Sequence, residues 1–210
     1  LFDGLGLPHP KTAVFRNVGE AAAAWRRTEP EVADLGQPPY YVKGAGGGEG
    51  KNVFLAATPE ELEALPAKGL ETACRQGPSG LVLQEAVPTP GRDARVIYVG
   101  KAEFSFWRVV APGEYRSKQK RGGQLDWRGW PADLARARQL ARRLRDRAGL
   151  DTAAIDILVP ERGSCLLLEV NFVFGLPALG GMEAFAGLYL TAVRDWLAGL
   201  GLDPERVSRD

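Results

Sequence analysis

The chain of 210 residues holds one histidine and two cysteines. Cys74 and Cys165 lie far apart, which excludes a disulfide framework and a Cys/His zinc module. A Ser-His-Asp triad would have to use His9, which stands between Pro8 and Pro10 where an imidazole is poorly oriented. No window approaches ~18 uninterrupted apolar residues, so no membrane-spanning helix is expected. The start has no basic segment followed by an apolar one, so no signal peptide is expected. The first residue is Leu rather than Met, as in a piece trimmed from something longer. An excess of charge is also missing. The balance of 27 Lys+Arg against 26 Asp+Glu gives +1, which provides no general attraction to nucleic acid or an acidic membrane. Unpaired cysteines point to a reducing, cytoplasmic setting.

What is present is an ordinary globular composition, 45% hydrophobic and 25% charged, with enough chain for one large domain or two small lobes. With histidine and cysteine set aside, chemistry falls to carboxylates, Lys, Arg and backbone amides.

Glycine is plentiful, 26 residues, and concentrated. Residues 44–50 read GAGGGEG. The strand pattern Tyr40-Tyr41-Val42-Lys43 precedes this run and Asn52-Val53-Phe54-Leu55-Ala56 follows it, so a hairpin is predicted. The run fits neither the phosphate loop nor the dinucleotide fingerprint, because Asn52 follows Lys51 and a strand stands where a helix is required. It is either a flexible surface loop or a nest whose N–H groups approach phosphates, with Lys43 beside it to neutralise them. Thr58-Pro59-Glu60-Glu61 predicts a capped helix start. Strands are predicted over 81–87, 94–99, 101–110, 154–159 and 165–171, with a loop over 111–131. Helices are predicted over 132–148 and about 183–199, and the arginine face of the first is expected to be solvated. Long strands with few helices between them predict antiparallel α+β lobes.

Asp156 and Glu169 sit within apolar strands, where an unpaired buried carboxylate costs several kcal/mol. Glu169 and Asn171 are two apart on one strand and share a face, about 7 Å apart. Pairing about the 160–165 turn sets Asp156 opposite or diagonal to Glu169. Two readings stay open. The three oxygen donors hold a hard cation, Mg²⁺ or Mn²⁺, or the carboxylates pair with an arginine of a neighbouring strand. Arg116-Ser117-Lys118-Gln119-Lys120-Arg121 is too short and too poor in stacking aromatics for a nucleic-acid site. Together with Arg95 and Arg108 it reads as a phosphate and carboxylate clamp or as surface charge.

Taken in order, these segments resemble the RimK-like branch of the ATP-grasp superfamily over nearly the whole chain. Gly6-Leu7-Pro8-His9-Pro10-Lys11-Thr12 is similar to the family's opening motif, and Tyr41-Val42-Lys43 to its lysine-ending strand. Gly47-Gly48-Glu49-Gly50 is similar to its lid, and Leu83-Gln84-Glu85-Ala86-Val87 to its hinge strand, with Ala86 where an aromatic usually stands. Gly91-Arg92-Asp93-Ala94-Arg95 resembles "G-x-D-x-R", and Glu114 through Gly123 resembles "EFRSN…RGG" with Lys118 in place of Asn. Ala154 to Leu158 and Leu168 to Asn171 resemble the two metal-ligand strands, but Phe172-Val173-Phe174 replaces the small residues that usually follow.

The resemblance implies an α+β ATP-grasp fold over residues 1–210, with a smaller lobe over about 20–87, a larger one over about 88–210 and ATP between them. Family members also carry an N-terminal domain of roughly a hundred residues, which these 210 are expected to lack. It implies an ATP-dependent carboxylate–amine ligase working through an acylphosphate, adding glutamate or another amino acid. An ATP-grasp kinase and a non-catalytic nucleotide-binding domain are the alternatives. ATP, a carboxylate and an amine are the implied partners, and a homo-oligomer stays open. Carried over, Lys43, Gly47, Gly48, Gly50, Gln84, Glu85, Ala86, Val87, Asp93, Arg116 and Ser117 bind the nucleotide. Arg95, Arg108 and Arg121 act at the transferred group, and Asp156, Glu169 and Asn171 hold Mg²⁺ or Mn²⁺.

Overall fold

The computed structural model describes residues 1–44, 53–65, 80–110 and 124–203. It divides into two compact units, Pro10–Pro88 and a larger one formed by Leu1–His9 with Thr89–Asp210.

The smaller unit is a four-stranded antiparallel sheet with helices against one face. Its elements are β1 (Thr12–Phe15), α1 (Val18–Arg26), α2 (Pro30–Ala33), β2 (Tyr40–Gly44), β3 (Val53–Ala56), α3 (Pro59–Glu63) and β4 (Leu81–Glu85). The strands lie in the order β1-β4-β2-β3. Strand alternation puts Ala13, Phe15, Tyr40, Val42, Ala56, Leu81 and Leu83 on the buried face, against Ala21, Ala22 and Ala24 of α1 and Leu62 of α3. The alanines let α1 lie close to the sheet. The predicted hairpin is present, with Lys43 opposite Val53 and Tyr40 opposite Ala56. Thr58 caps α3 as predicted, accepting the Glu61 N–H at 3.2 Å. The sequence reading placed no element on β1 or α1. Yet α1 has its own start signal, the Asn17 side chain accepting the Glu20 N–H at 2.9 Å.

The larger unit is a five-stranded antiparallel sheet with a helix over one face and an apolar cover over one end of the other. It holds β5 (Arg92–Val99), β6 (Ala102–Val109), β7 (Gln124–Asp126), α4 (Pro131–Ala148), β8 (Thr152–Leu158), β9 (Leu166–Asn171) and α5 (Met182–Gly199), in strand order β7-β6-β5-β8-β9. The strand β7 falls inside the stretch predicted as loop. Its three residues carry too short a pattern to announce a strand. Leu134, Ala137, Leu140, Ala141 and Leu144 of α4 pack on Ala94, Val96, Tyr98, Trp107, Ile155, Ile157 and Leu167. Leu7 joins this core, and the Leu167 N–H donates to the Pro8 carbonyl at 2.9 Å, which ties the first residues to β9.

The arginine face of α4 is not simply solvated. Arg142 donates to Glu103 of β6 at 2.8 Å, Arg138 pairs with the same carboxylate, and Arg145 lies over the Tyr98 ring. Glu103 in turn accepts from the Tyr98 hydroxyl at 3.1 Å. Burial pushes the Glu103 carboxyl up, but the Arg142 and Arg138 hydrogen bonds hold it below its ordinary value.

The second face of this sheet is split along its length. At one end Ile97, Val99, Phe106, Ala154 and Leu179 form an apolar cluster, with Phe185, Leu188 and Ala192 of α5 against it. Gly100, in the β5–β6 turn, has φ +57° and no room for a side chain, since a Cβ there would stand 2.5 Å from that of Ala192. At the other end the same strands carry charge. Among the described residues no helix is long and apolar enough to cross a membrane.

Candidate functional site

The open face of the smaller sheet carries the outward positions of its strands: Thr12 and Val14, Tyr41 and Lys43, Val82 and Gln84, Val53 and Leu55. Register sets Gln84 between Thr12 and Tyr41. The Lys43 ammonium donates to Gln84 Oε1 at 2.6 Å, Gln84 Nε2 donates to Thr12 Oγ1 at 2.9 Å, and the Thr12 hydroxyl donates to the Pro10 carbonyl at 2.8 Å. The relay satisfies the buried amide of Gln84 and defines which way it faces. It also holds the Lys43 charge at the sheet surface.

Glu85, the next residue, serves differently. Its carboxylate accepts the Lys11 backbone N–H at 2.9 Å, while its own N–H donates to the Lys11 carbonyl at 3.0 Å. It therefore clasps β1 to β4. Ala86 and Val87 follow the strand end and are half-buried. Thr12 entered the sequence reading only as part of a motif, although its place two before Val14 on the open face was available as a signal.

In the larger unit the charged end of the sheet is built by register. Asp93 stands opposite Arg108, Arg95 opposite Asp156, and Asp156 opposite Glu169. Arg108 makes a two-pronged pair with Asp93, Nε to Oδ1 at 2.7 Å and Nη2 to Oδ2 at 2.8 Å. Arg95 does the same with Asp156, at 2.7 Å for both bonds. Arg108 Nη2 also lies 3.0 Å from Asp156 Oδ2, which joins the pairs into a quartet. The Asp156 side chain is only 4% exposed, so without these partners its charge would be unsupported. Burial pulls the Arg108 guanidinium down, but the Asp156 and Asp93 carboxylates outweigh it and hold the cation well above its ordinary value.

Glu169 and Asn171 reach this face through an irregularity in β9. Ile157 pairs with Leu167 and Asp156 with Glu169, so Leu168 is the extra residue of a bulge. Regular alternation would put Leu167 and Glu169 on one face. The bulge instead lets Leu167 enter the α4 core while Glu169 and Asn171 join Asp156. Asn171 Nδ2 lies 3.5 Å from Asp156 Oδ2, and Glu169 is exposed. Two carboxylates and an amide oxygen suit a hard cation such as Mg²⁺ or Mn²⁺. Among the described residues no group of three or more His, Cys, Asp or Glu is built to hold a metal alone. A cation here would need Asn171 and oxygens from a ligand.

The arginine pairing of Asp156 is the second of the two readings left open by the sequence, and the oxygen-only set on the same face keeps the first. Trp127 was not foreseen as a neighbour. Its ring stands 4.7 Å from that of Phe106, which lies opposite Arg95. Its only sequence signal was its position just past the basic segment. Gly47, Gly48, Gly50, Arg116, Ser117 and Arg121 lie outside the described residues, as does Cys74. Cys165 is buried, which pushes its thiol up.

Comparisons with known proteins address the chain as a whole. The model of the RimK-like ATP-grasp domain matches residues 8–186. A probable alpha-L-glutamate ligase of Aeromonas salmonicida is 32% identical over 177 residues, covering 81% of this chain and 55% of that protein. One of Shewanella halifaxensis is 33% identical over 156 residues, covering 73% of this chain and 31% of that protein. The chain thus spans between about a third and about half of these curated relatives. Among solved structures, a RimK domain ATP-grasp protein from Sphaerobacter thermophilus aligns with a TM-score of 0.60 at 22% identity, over 91% of this chain and 63% of that one. D-alanyl-alanine synthetase A from Vibrio cholerae gives 0.61 at 15%, over 91% and 62%. These structures support the fold, two antiparallel sheets with helices, and the sequence match over most of the chain gives the family: the chain belongs to the RimK-like ATP-grasp family.

Proposed function

We propose that this chain is the nucleotide-binding and ligating part of an ATP-dependent carboxylate–amine ligase, with glutamate the first amino acid to test. The observation that carries the reading is the charged end of the larger sheet. There, oxygen donors and two arginines meet on one face, in a chain of this family. The name of its relatives supports glutamate.

In the first step a substrate carboxylate oxygen attacks the γ-phosphorus of ATP and the bond to ADP breaks, giving an acylphosphate. In the second an amine attacks the acyl carbon, loses a proton, and phosphate leaves with an amide formed. Little covalent chemistry falls to the protein, so its side chains position and neutralise. Lys43 offsets nucleotide phosphate charge from the smaller sheet. The Glu85 carboxylate is occupied by the Lys11 N–H, so adenine would meet the backbone of residues 85–87 rather than this side chain. Arg95 and Arg108 offset charge on the transferred group. Asp156, Glu169 and Asn171 would hold Mg²⁺. When bound, that cation supplies Lewis acidity and a template for phosphate oxygens.

The test is calorimetric titration of ATP, with and without Mg²⁺, into wild type and Glu169→Ala. Mg²⁺-dependent binding weakened at least ~tenfold by the substitution is the expected result. ADP release with glutamate and a panel of amines follows. Absence of ATP binding in both conditions overturns the reading.

A further inference from the structure

The charged quartet holds more than the proposed chemistry requires, and its wiring is unequal. Asp156 Oδ1 accepts from Arg95 Nε at 2.7 Å. Its Oδ2 accepts from Arg95 Nη2 at 2.7 Å, lies 3.0 Å from Arg108 Nη2 and takes the long contact from Asn171. A carboxylate has about four lone-pair positions, so this one is nearly filled. A cation that approaches either Asp156 oxygen meets a guanidinium already bound there, and the two positive charges compete for it. The two arginines differ in what they would lose. Arg108 keeps its two-pronged hold on Asp93. Arg95 has, among the described residues, Asp156 as its one carboxylate partner.

We propose that Asp156 is handed from Arg95 to the divalent cation when the nucleotide arrives, and that the released Arg95 guanidinium turns to the phosphates. Arg108, held by Asp93, stays in place. This rests on the nucleotide and metal reading given above. The charges explain why the exchange needs both ligands. The cation alone would displace Arg95 and leave a guanidinium, 18% exposed, without a counter-charge. The polyphosphate alone would compete with Asp156 for that guanidinium and leave the buried carboxylate without its two-pronged partner, with only the shared Arg108 as counter-charge. Together they supply each released group with a partner of opposite sign. Cation and nucleotide therefore bind as a coupled pair, and each raises the affinity for the other through the protein.

Arginine Nε–H resonances of the ¹⁵N-labelled protein report the exchange without turnover, with Arg95→Lys and Arg108→Lys used to assign them. The probes are Mg²⁺ alone, the β,γ-imido analogue of ATP alone, and the two together. The Arg95 Nε–H signal is expected to move only with both, while that of Arg108 stays. A second readout is Mn²⁺ titration followed by electron paramagnetic resonance. Arg95→Met is expected to bind free Mn²⁺ about tenfold more tightly than wild type, because no guanidinium competes. An Arg95 signal unmoved when calorimetry shows the analogue and Mg²⁺ bound overturns the exchange. A signal that moves fully with Mg²⁺ alone overturns the coupling. If calorimetry shows no nucleotide bound in any condition, the proposed function itself has failed, which is a separate result.

Discussion

The open faces of the two sheets solve one problem in two ways. Each strand alternates, so each sheet has a face turned from its main helices that still contains buried polar atoms. In the smaller unit a neutral amide, Gln84, is held by a relay that begins at one lysine and ends at a backbone carbonyl. In the larger unit four ionised side chains hold one another. The relay contains one formal charge and needs modest desolvation. The quartet sets two guanidiniums against two carboxylates, with side chains between 4% and 18% exposed, so each charge depends on the others. A relay built around a neutral amide tolerates loss of a member. An ion network does not, and the same dependence lets an arriving ion rearrange it.

The largest break in this comparison is expected from Arg108→Met, which strips a partner from both Asp93 and Asp156. Urea unfolding should show a loss of about 3–5 kcal/mol, the usual scale for leaving a buried charge unpaired. Gln84→Met in the smaller unit should cost only about 1–2 kcal/mol, since one neutral amide and its bonds are lost. A loss as large as that of Arg108→Met would remove the distinction between the two faces.

Glu103 offers a titratable control outside the quartet. Its folded value lies below its unfolded one, so its contribution is present above the ordinary carboxylate range and is lost as pH falls through the folded value. Glu103→Gln should therefore destabilise by about 1–2 kcal/mol at neutral pH and by nothing measurable once wild-type Glu103 is protonated. Unfolding curves across acidic pH check the direction. The smallest effect is expected at Val14, which is 72% exposed on the open face of the smaller sheet. Val14→Thr should leave stability within about 0.5 kcal/mol. A larger loss there would show that this face packs against something more than its own strands.

Much of the fold was legible because its signals are local. The Thr58 cap, the apolar spacing of α4 and the strands around Asp156 and Glu169 are written in neighbouring residues. The opening segment was not read as a strand and helix, because four consecutive alanines in α1 give little amphipathic contrast. The arginines of α4 read as solvent-facing because nothing near them in sequence names Glu103, which meets Arg138 only once β6 packs beneath the helix. The candidate site divides in the same way. Asp156, Glu169 and Asn171 stood out as polar residues in apolar strands, and their pairing about one turn follows from a short connection. The bulge at Leu168 did not stand out, because three successive leucines look alike until one must enter the α4 core.

The sequence by itself determined the two-lobed α+β class, the family and the residue types available for chemistry. Periodicity, caps and motif order are properties of neighbours along the chain. Only the tertiary structure decided that Arg95 would stand opposite Asp156, that Arg108 would be tethered by Asp93, and that Gln84 would bridge Lys43 and Thr12. Those partnerships join residues 15 to 72 positions apart. They depend on strand order and register, which follow from how the whole core packs rather than from any segment alone.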